Sequence, residues 1–337
     1  MRVSVKELFL LIQKFIMMRK ILYLLSGLTI AAMPLMKFPQ TEISNGLIQA
    51  KIYLPDSREG YYQGTRFDWS GNMPSLKYAG HEYFGQWFTT YSPEIHDVIM
   101  GPVEEFTALD YMDTKPGDNF VKIGVGVLTK PDEKPYAFER YYPIVDQGKW
   151  IVKTKPDQVT FNHELNDKTY SYKYEKCVQL VKGKPELLLV HTLKNTGNKT
   201  IETSVYDHNF FVIDNQPVGP GYSITLPFDI KGTGQGIGEL AEIKGKQILF
   251  LRNVNNGENV FCSPLEGFND TAGDYDFRIE NKIAGAGVRI TCDQPIQKLN
   301  FWCCYTTLCP EPYIRIKVDP GKEFSWKIRY EFYTLNK

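Results

Sequence analysis

The chain has 337 residues and no net charge, because 39 lysines and arginines balance 39 aspartates and glutamates. A neutral chain has no general electrostatic attraction to phosphate backbones or anionic membranes, so nucleic acid is not an expected partner. Aromatic residues make up 14% of the sequence, which is typical of strand-rich packing or of a sugar-stacking surface. The length alone permits one large β domain or two average domains.

The first 36 residues differ in composition from the rest. Arg19 and Lys20 precede the 16-residue apolar run ILYLLSGLTIAAMPLM, which is short for a membrane span and has the order of a secretion signal. We expect residues 1–36 to be a signal peptide or, when uncleaved, an N-terminal anchor, with the true start near residues 17–18. The protein is then exported, periplasmic or extracellular, and this segment is its only expected membrane contact.

Alternating apolar residues predict strands from Glu42 to the C-terminus. Asn45-Gly46 predicts a hairpin turn before the alternation of residues 48–54, and residues 121–127 and 170–174 alternate in the same way. Residues 314–318 and 324–332 alternate on either side of an Asp-Pro-Gly-Lys turn, which predicts a C-terminal hairpin.

The domain organisation follows from what lies between these strands. Long segments with helical periodicity, fixed-period repeats and Ser/Pro-rich linkers are absent after residue 36. We therefore predict an all-β chain in which residues 37–337 form a single large antiparallel sandwich domain. The stretch Gly60–Phe106 is irregular and rich in glycine and aromatic residues, so we expect loops that carry binding groups there.

The sequence lacks several common catalytic motifs. It has no G-x-S-x-G elbow, no HExxH and no glycine-rich phosphate or dinucleotide loop, which argues against serine hydrolase, zinc protease and nucleotide-dependent chemistry. Its six cysteines lack zinc-site spacing, and we predict buried strand residues rather than disulfides, although export leaves pairing open. They are Cys177, Cys262, Cys292, Cys303, Cys304 and Cys309.

One of the five histidines stands in the strand-forming segment VYDHNFFVIDN, residues 205–215. Alternation places Tyr206, His208 and Phe210 on one face of the strand and Asp207 and Asn209 on the other. His208 is therefore either a packed core histidine or a group aimed into a cleft.

Glu311 lies between two prolines in the segment TTLCPEPYIRI. Pro310 and Pro312 fix the backbone on both sides, and this rigidity suits a catalytic carboxylate as well as a simple bend at the start of a strand.

These segments together resemble the galactose mutarotase (aldose 1-epimerase) superfamily from Glu42 to the C-terminus. The resemblance rests on HNFF, a glutamate-centred strand start about a hundred residues later, a Pro-Gly turn and a final Trp/Tyr-rich strand. It implies a β-supersandwich in which His208 is the general acid and Glu311 the general base. It also implies sugar-binding roles for Arg66 in GTRFDWSG and His96 in PEIHD.

The residue types fit interconversion of sugar anomers. A base takes the proton of the anomeric hydroxyl while an acid protonates the ring oxygen, so one carboxylate and one histidine suffice. No metal and no redox cofactor is required, and the expected partner is a monosaccharide or an oligosaccharide. The alternatives are a non-catalytic carbohydrate-binding sandwich and a sandwich domain of a polysaccharide lyase or glycoside hydrolase, for which no carboxylate pair is evident.

Several neighbouring residues have two interpretations. Arg66 either contacts sugar or forms a local ion pair with Asp68. The aromatic residues Trp69, Tyr83 and Trp87 are either stacking platforms or packing. Glu104 and Glu105 are adjacent on a strand and point to opposite sides, so we predict a solvated edge there.

Overall fold

In a computed structural model of the chain, residues 38–335 are described. They form 23 strands and two short 3₁₀ helices. The predicted signal peptide or anchor at residues 1–36 lies outside this range. Residues 38–335 contain no helix that is long and apolar enough to cross a membrane.

The strands in chain order are β1 Gln40–Ser44, β2 Ile48–Tyr53, β3 Ser75–Tyr78, β4 His81–Glu82, β5 Gly101–Phe106, β6 Asn119–Lys122, β7 Gly126–Thr129, β8 Ile144–Asp146, β9 Lys149–Lys155, β10 Gln158–Asn166, β11 Ser171–Leu180, β12 Glu186–Asn195, β13 Ile201–Phe210, β14 Tyr222–Thr225, β15 Gly234–Gln235, β16 Ala241–Lys244, β17 Gln247–Phe250, β18 Val260–Leu265, β19 Asp276–Asn281, β20 Ala286–Cys292, β21 Lys298–Cys303, β22 Leu308–Val318 and β23 Glu323–Thr334. The 3₁₀ helices are Ile213–Asn215 and Ala272–Asp274.

Two large antiparallel sheets make up most of the described chain. The ten-stranded sheet has the order β16-β17-β14-β19-β20-β23-β12-β11-β10-β9, and the six-stranded sheet has the order β15-β18-β21-β22-β13-β5. Smaller sheets are formed by β1–β4 and β6–β8. Side chains of both large sheets belong to one apolar core, among them Val205 and Ile316 from the six-stranded sheet and Leu189 and Ile328 from the ten-stranded sheet. The predicted all-β antiparallel sandwich is confirmed.

The hairpin turn predicted at Asn45-Gly46 is also confirmed. Strands β1 and β2 pair across Asn45-Gly46 with Ile43 opposite Ala50. Gly46 has a φ of +87°, a conformation that glycine adopts without steric cost.

The predicted C-terminal hairpin is wrong. Strand β22 belongs to the six-stranded sheet and β23 to the ten-stranded sheet, so the Asp-Pro-Gly-Lys turn carries the chain across the core. Each strand buries one apolar face, with Ile316 on one and Ile328 on the other, and the crossing brings these two faces together. The turn between β12 and β13 crosses the core in the same way.

The alternation at residues 121–127 is a short hairpin and not one continuous strand. Strands β6 and β7 pair with Val121 opposite Val127. Gly124 turns the chain with a φ of +78°, and a Cβ there would come within 2.6 Å of the Asp68 carboxylate. The period of two cannot distinguish such a tight turn from an unbroken strand.

Candidate functional site

Strand β13 separates a cleft from the core. Tyr206, His208 and Phe210 line a cleft of about 620 Å³, while Asp207 and Asn209 contact the core tyrosine Tyr330 from the opposite sheet. The alternation predicted for this segment is therefore confirmed. Its cause is the pleat of a strand that has a different environment on each face.

His208 and Glu311 meet at the floor of this cleft. The Nε2 atom of His208 lies 3.2 Å from the Oε1 atom of Glu311, and both side chains are more than nine-tenths buried. Strand β22 lies beside β13 and brings the carboxylate to this position. Asn300 of β21 donates a hydrogen bond of 3.3 Å from Nδ2 to the other carboxylate oxygen of Glu311.

The surroundings of His208 favour its neutral form. Burial, reinforced by the positive charge of Arg66, holds the pKa of His208 well below its usual range. Its buried Nδ1 atom has no hydrogen-bond partner among the described residues, so an imidazolium ion would leave one N–H group unpaired. The ring is held by Phe210, which stacks on it at a centroid distance of 3.9 Å, and by the edge of Phe67.

Among the described residues, no lysine or arginine forms an ion pair with Glu311. Burial raises its pKa to about 7, and the positive charge of Arg66 only partly offsets this effect. A carboxyl group in this range can exchange its proton near neutral pH, as a general acid or base must.

Arg66 forms one wall of the same cleft. Its guanidinium group donates to Glu105 at 2.7 Å, to Asp97 at 2.5 Å and to the hydroxyl of Tyr206 at 3.0 Å. The alternative local pair with Asp68 is not formed, because Asp68 is buried and bonded to Ser70. The structure therefore places Arg66 with His208 and Glu311, with its charge compensated by two carboxylates.

His96 lies behind the cleft wall. Its Nε2 atom is 3.1 Å from Asp97, and its ring contacts the edge of Phe138. Both of these partners line the cleft, whereas His96 itself is not among the lining residues. A direct sugar contact by His96 stays a prediction.

Several residues of the cleft were not predicted from the sequence, among them Asn300, Trp302 and Tyr313. Asn300 and Trp302 alternate with the buried Leu299, Phe301 and Cys303 along β21, so the period of two in LNFWC was the signal that could have found them.

The predicted solvated edge at Glu104-Glu105 is wrong. Both carboxylates are buried, Glu105 toward the cleft and Glu104 toward the core. Glu104 binds Lys176 and lies 2.6 Å from the Nε2 atom of His191. The sequence indicates opposite directions for the pair but not that the strand is covered on both faces.

The aromatic residues considered as stacking platforms serve as packing. Trp69 and Tyr83 are buried, and Trp87 stacks on Phe210 at 4.9 Å. Trp302, which contacts His208 edge to face, is the tryptophan that lines the cleft.

The described part of the chain has neither a metal-binding cluster nor a disulfide. Residues 38–335 contain no group of three or more His, Cys, Asp or Glu side chains arranged to hold a metal ion. All six cysteines are free, and four of them are buried, as expected for small apolar strand residues.

Comparison with known proteins identifies the fold. No family model and no curated protein sequence matches the chain. A galactose mutarotase-like protein from Lactobacillus casei superposes with a TM-score of 0.52 at 14% identity, covering 87% of this chain and 100% of that one. An aldose epimerase homologue from C. elegans gives 0.53 at 11% identity, covering 89% and 100%. A galactose mutarotase related enzyme from Lactobacillus acidophilus gives 0.52 at 12% identity, covering 88% and 99%. The chain thus has the β-supersandwich fold of the galactose mutarotase-like proteins.

Proposed function

We propose that the protein is a carbohydrate-active enzyme that interconverts the anomers of a sugar. The observation that carries this proposal is the 3.2 Å contact between His208 and Glu311, both more than nine-tenths buried, at the floor of an open cleft. The cleft volume lies within the range of about 300 to 1,000 Å³ that is typical of small-molecule sites. The fold, shared with proteins described as mutarotase-like, supports a sugar as the ligand.

The reaction needs one proton on the pair. In ring opening, one group takes the proton from the C1 hydroxyl, the other protonates the ring oxygen, and the bond from C1 to that oxygen breaks as the carbonyl forms. Both oxygens are attached to C1, so an acid and a base in mutual contact can reach them together. Closure on the other face of the carbonyl returns both protons, and the same pair starts the next cycle.

The direction of proton transfer depends on where that proton resides. With it on His208, the histidine is the acid and Glu311 the base, as the sequence resemblance implies. With it on Glu311, the roles are exchanged, and burial favours this distribution in the free protein. Because opening moves the proton from one group to the other, one full cycle uses both distributions.

The test is NMR exchange spectroscopy between the anomers of neutral aldoses, with and without the purified protein. We expect catalysed exchange for at least one sugar, and a loss of at least about 100-fold in His208→Gln, the lower range for a positioned acid or base. Sugar binding without faster exchange would favour the alternative, a non-catalytic carbohydrate-binding sandwich. Export of the protein, which would place it among extracellular sugars, belongs to the same proposal.

A further inference from the structure

A second chamber adjoins the catalytic cleft. It has a volume of about 410 Å³ and is lined by the loop that follows β5, including Ala108, Tyr111, Met112 and Asp113. Four residues line both cavities: Glu105, Tyr136, Tyr206 and Tyr313. The two cavities are therefore neighbours with a shared wall, which includes the Tyr206 and Tyr313 rings stacked at 4.3 Å.

The lining of this chamber suits a neutral glycan. The half-buried rings of Tyr136 and Tyr313 offer flat apolar surface with polar edges, and the exposed Asp113 offers carboxylate oxygens that accept hydrogen bonds from hydroxyl groups. Among the described residues that line it there is no lysine or arginine, so it has no cation to bind a phosphate or a uronate. Asp110 is already bound by Lys199 from outside the lining.

We infer that the chamber binds the second sugar unit of an oligosaccharide whose reducing end lies at His208 and Glu311. This inference rests on the proposed function and specifies its substrate class. A free monosaccharide would leave the chamber empty, whereas a neutral disaccharide with a free C1 hydroxyl would fill both cavities.

A variant that fills the chamber tests this inference. Ala108→Trp adds an indole to the chamber at a residue that does not line the catalytic cleft. Ile283→Trp is the matched control, because Ile283 is 72% exposed on the turn between β19 and β20 and lines neither cavity. With maltose, cellobiose and lactose against glucose and galactose, we expect kcat/KM for the disaccharides to exceed that for the monosaccharides. In Ala108→Trp only the disaccharide values should fall, by at least about 10-fold. Equal effects on both classes, or no preference for disaccharides in the native protein, would overturn the inference.

Binding measurements separate this inference from the proposed function. If no sugar shows catalysed exchange, the proposed function fails, and saturation-transfer NMR of maltose and glucose still reports on the chamber. Loss of the maltose signal in Ala108→Trp, with the glucose signal retained, would support the chamber. Loss of the maltose signal in Phe261→Ala but not in Ala108→Trp would place the second sugar on the opposite, exposed side of the cleft. That result would overturn the inference.

A different observation concerns the backbone on which Glu311 stands. The ladder between β13 and β22 runs from Ile201 to Tyr206, stops, and resumes with a single bridge between Phe211 and Leu308. Pro310 and Pro312, which lie in the gap, have no N–H group to donate. The side chain of Asn209 replaces the ladder, because its Nδ2 atom donates to the carbonyl of Pro310 at 3.1 Å.

Asn209 is itself held from the opposite sheet. Its Oδ1 atom accepts a hydrogen bond of 2.7 Å from the hydroxyl of Tyr330, and both side chains are fully buried. We also propose that Asn209 is a positioning residue that fixes Glu311 against His208 through Pro310.

Asn209→Asp removes the amide donor, and Tyr330→Phe removes the hydroxyl that orients Asn209. In each folded variant we expect kcat to fall at least about 10-fold with KM within about twofold, because ground-state sugar contacts remain. The Glu311 carboxyl titration, followed by NMR, should also shift from that of the native protein, and this readout needs no activity. If both folded variants keep the native kcat and the native Glu311 titration, Asn209 does not position Glu311 and only packs in the core.

Discussion

Two groups of buried charges lie on opposite faces of the six-stranded sheet, one toward the core and one toward the cleft, and they differ in how completely they are paired. On the core side, Glu104 binds Lys176 and His191, and although burial raises its pKa, these partners lower it to about 2. On the cleft side, Glu311 touches His208, whose pKa is lowered by burial, and burial raises the pKa of Glu311 to about 7. Burial is similar, so the presence of a cation decides whether a carboxylate is a fixed ion or an exchangeable proton site.

The largest effect is expected when the core pair is broken. Lys176→Met leaves Glu104 buried with His191 as its one remaining partner among the described residues. We therefore expect a loss of about 3 to 5 kcal/mol in the free energy of unfolding. Lys173→Met is the matched control on the same strand, because Lys173 is 60% exposed and its ion pair with Glu164 should contribute at most about 1 kcal/mol. Denaturant unfolding of both variants measures the difference, and equal losses would contradict the assigned importance of the core pair.

Replacing the cleft carboxylate Glu311 should have the opposite effect on the free energy of unfolding, an increase instead of a loss. The pKa of Glu311 is higher in the folded protein than in the unfolded chain, so the stability present below the unfolded pKa is lost as pH rises toward and through about 7. Glu311→Gln removes this cost, and we expect the folded state to gain about 1 to 3 kcal/mol at pH 8.

The gain should vanish at pH 4, where Glu311 is protonated in the folded protein. Urea unfolding at the two pH values measures it. A variant that is less stable than the native protein at pH 8 would show that ionised Glu311 is well solvated or paired.

The pH dependence of activity sharpens the same comparison. The pair of His208 and Glu311 needs one shared proton, and the burial of Glu311 keeps that proton bound up to a pH of about 7. We expect kcat/KM for anomer exchange to fall about tenfold per pH unit above that value, while the acid limb lies below the usual titration range of histidine. Arg66 and Glu105 stay ionised across this range and should not contribute. A rate that rises between pH 7 and 9 would contradict a proton-carrying pair.

The sequence revealed local geometry better than it revealed which strands are neighbours. Alternation around His208 gave the correct faces because the pleat is a property of one strand. The two prolines beside Glu311 likewise indicate a rigid backbone without reference to the rest of the chain. The predicted pairing of β22 with β23 was wrong, because the same turn sequence can connect two strands of one sheet or two strands on opposite sides of the core.

The cleft walls were the least predictable part. Asp97 lies about two hundred residues before Asn300 and Trp302, and only the sandwich topology brings these two segments together. Glu104 and Glu105 were predicted to be exposed to solvent, because charged residues are seldom buried without partners. Their partners are Lys176 on another strand and Arg66 on a distant loop, which no local pattern reveals.

The most direct test of the proposed mechanism is anomer exchange in the double variant His208→Gln/Glu311→Gln, measured beside the two single variants. Groups that act as one proton-sharing unit are not additive, so each single variant should lose at least about 100-fold and the double variant should be no more than about threefold slower still. Multiplied losses in the double variant, or native rates in either folded single variant, would contradict a catalytic pair of His208 and Glu311.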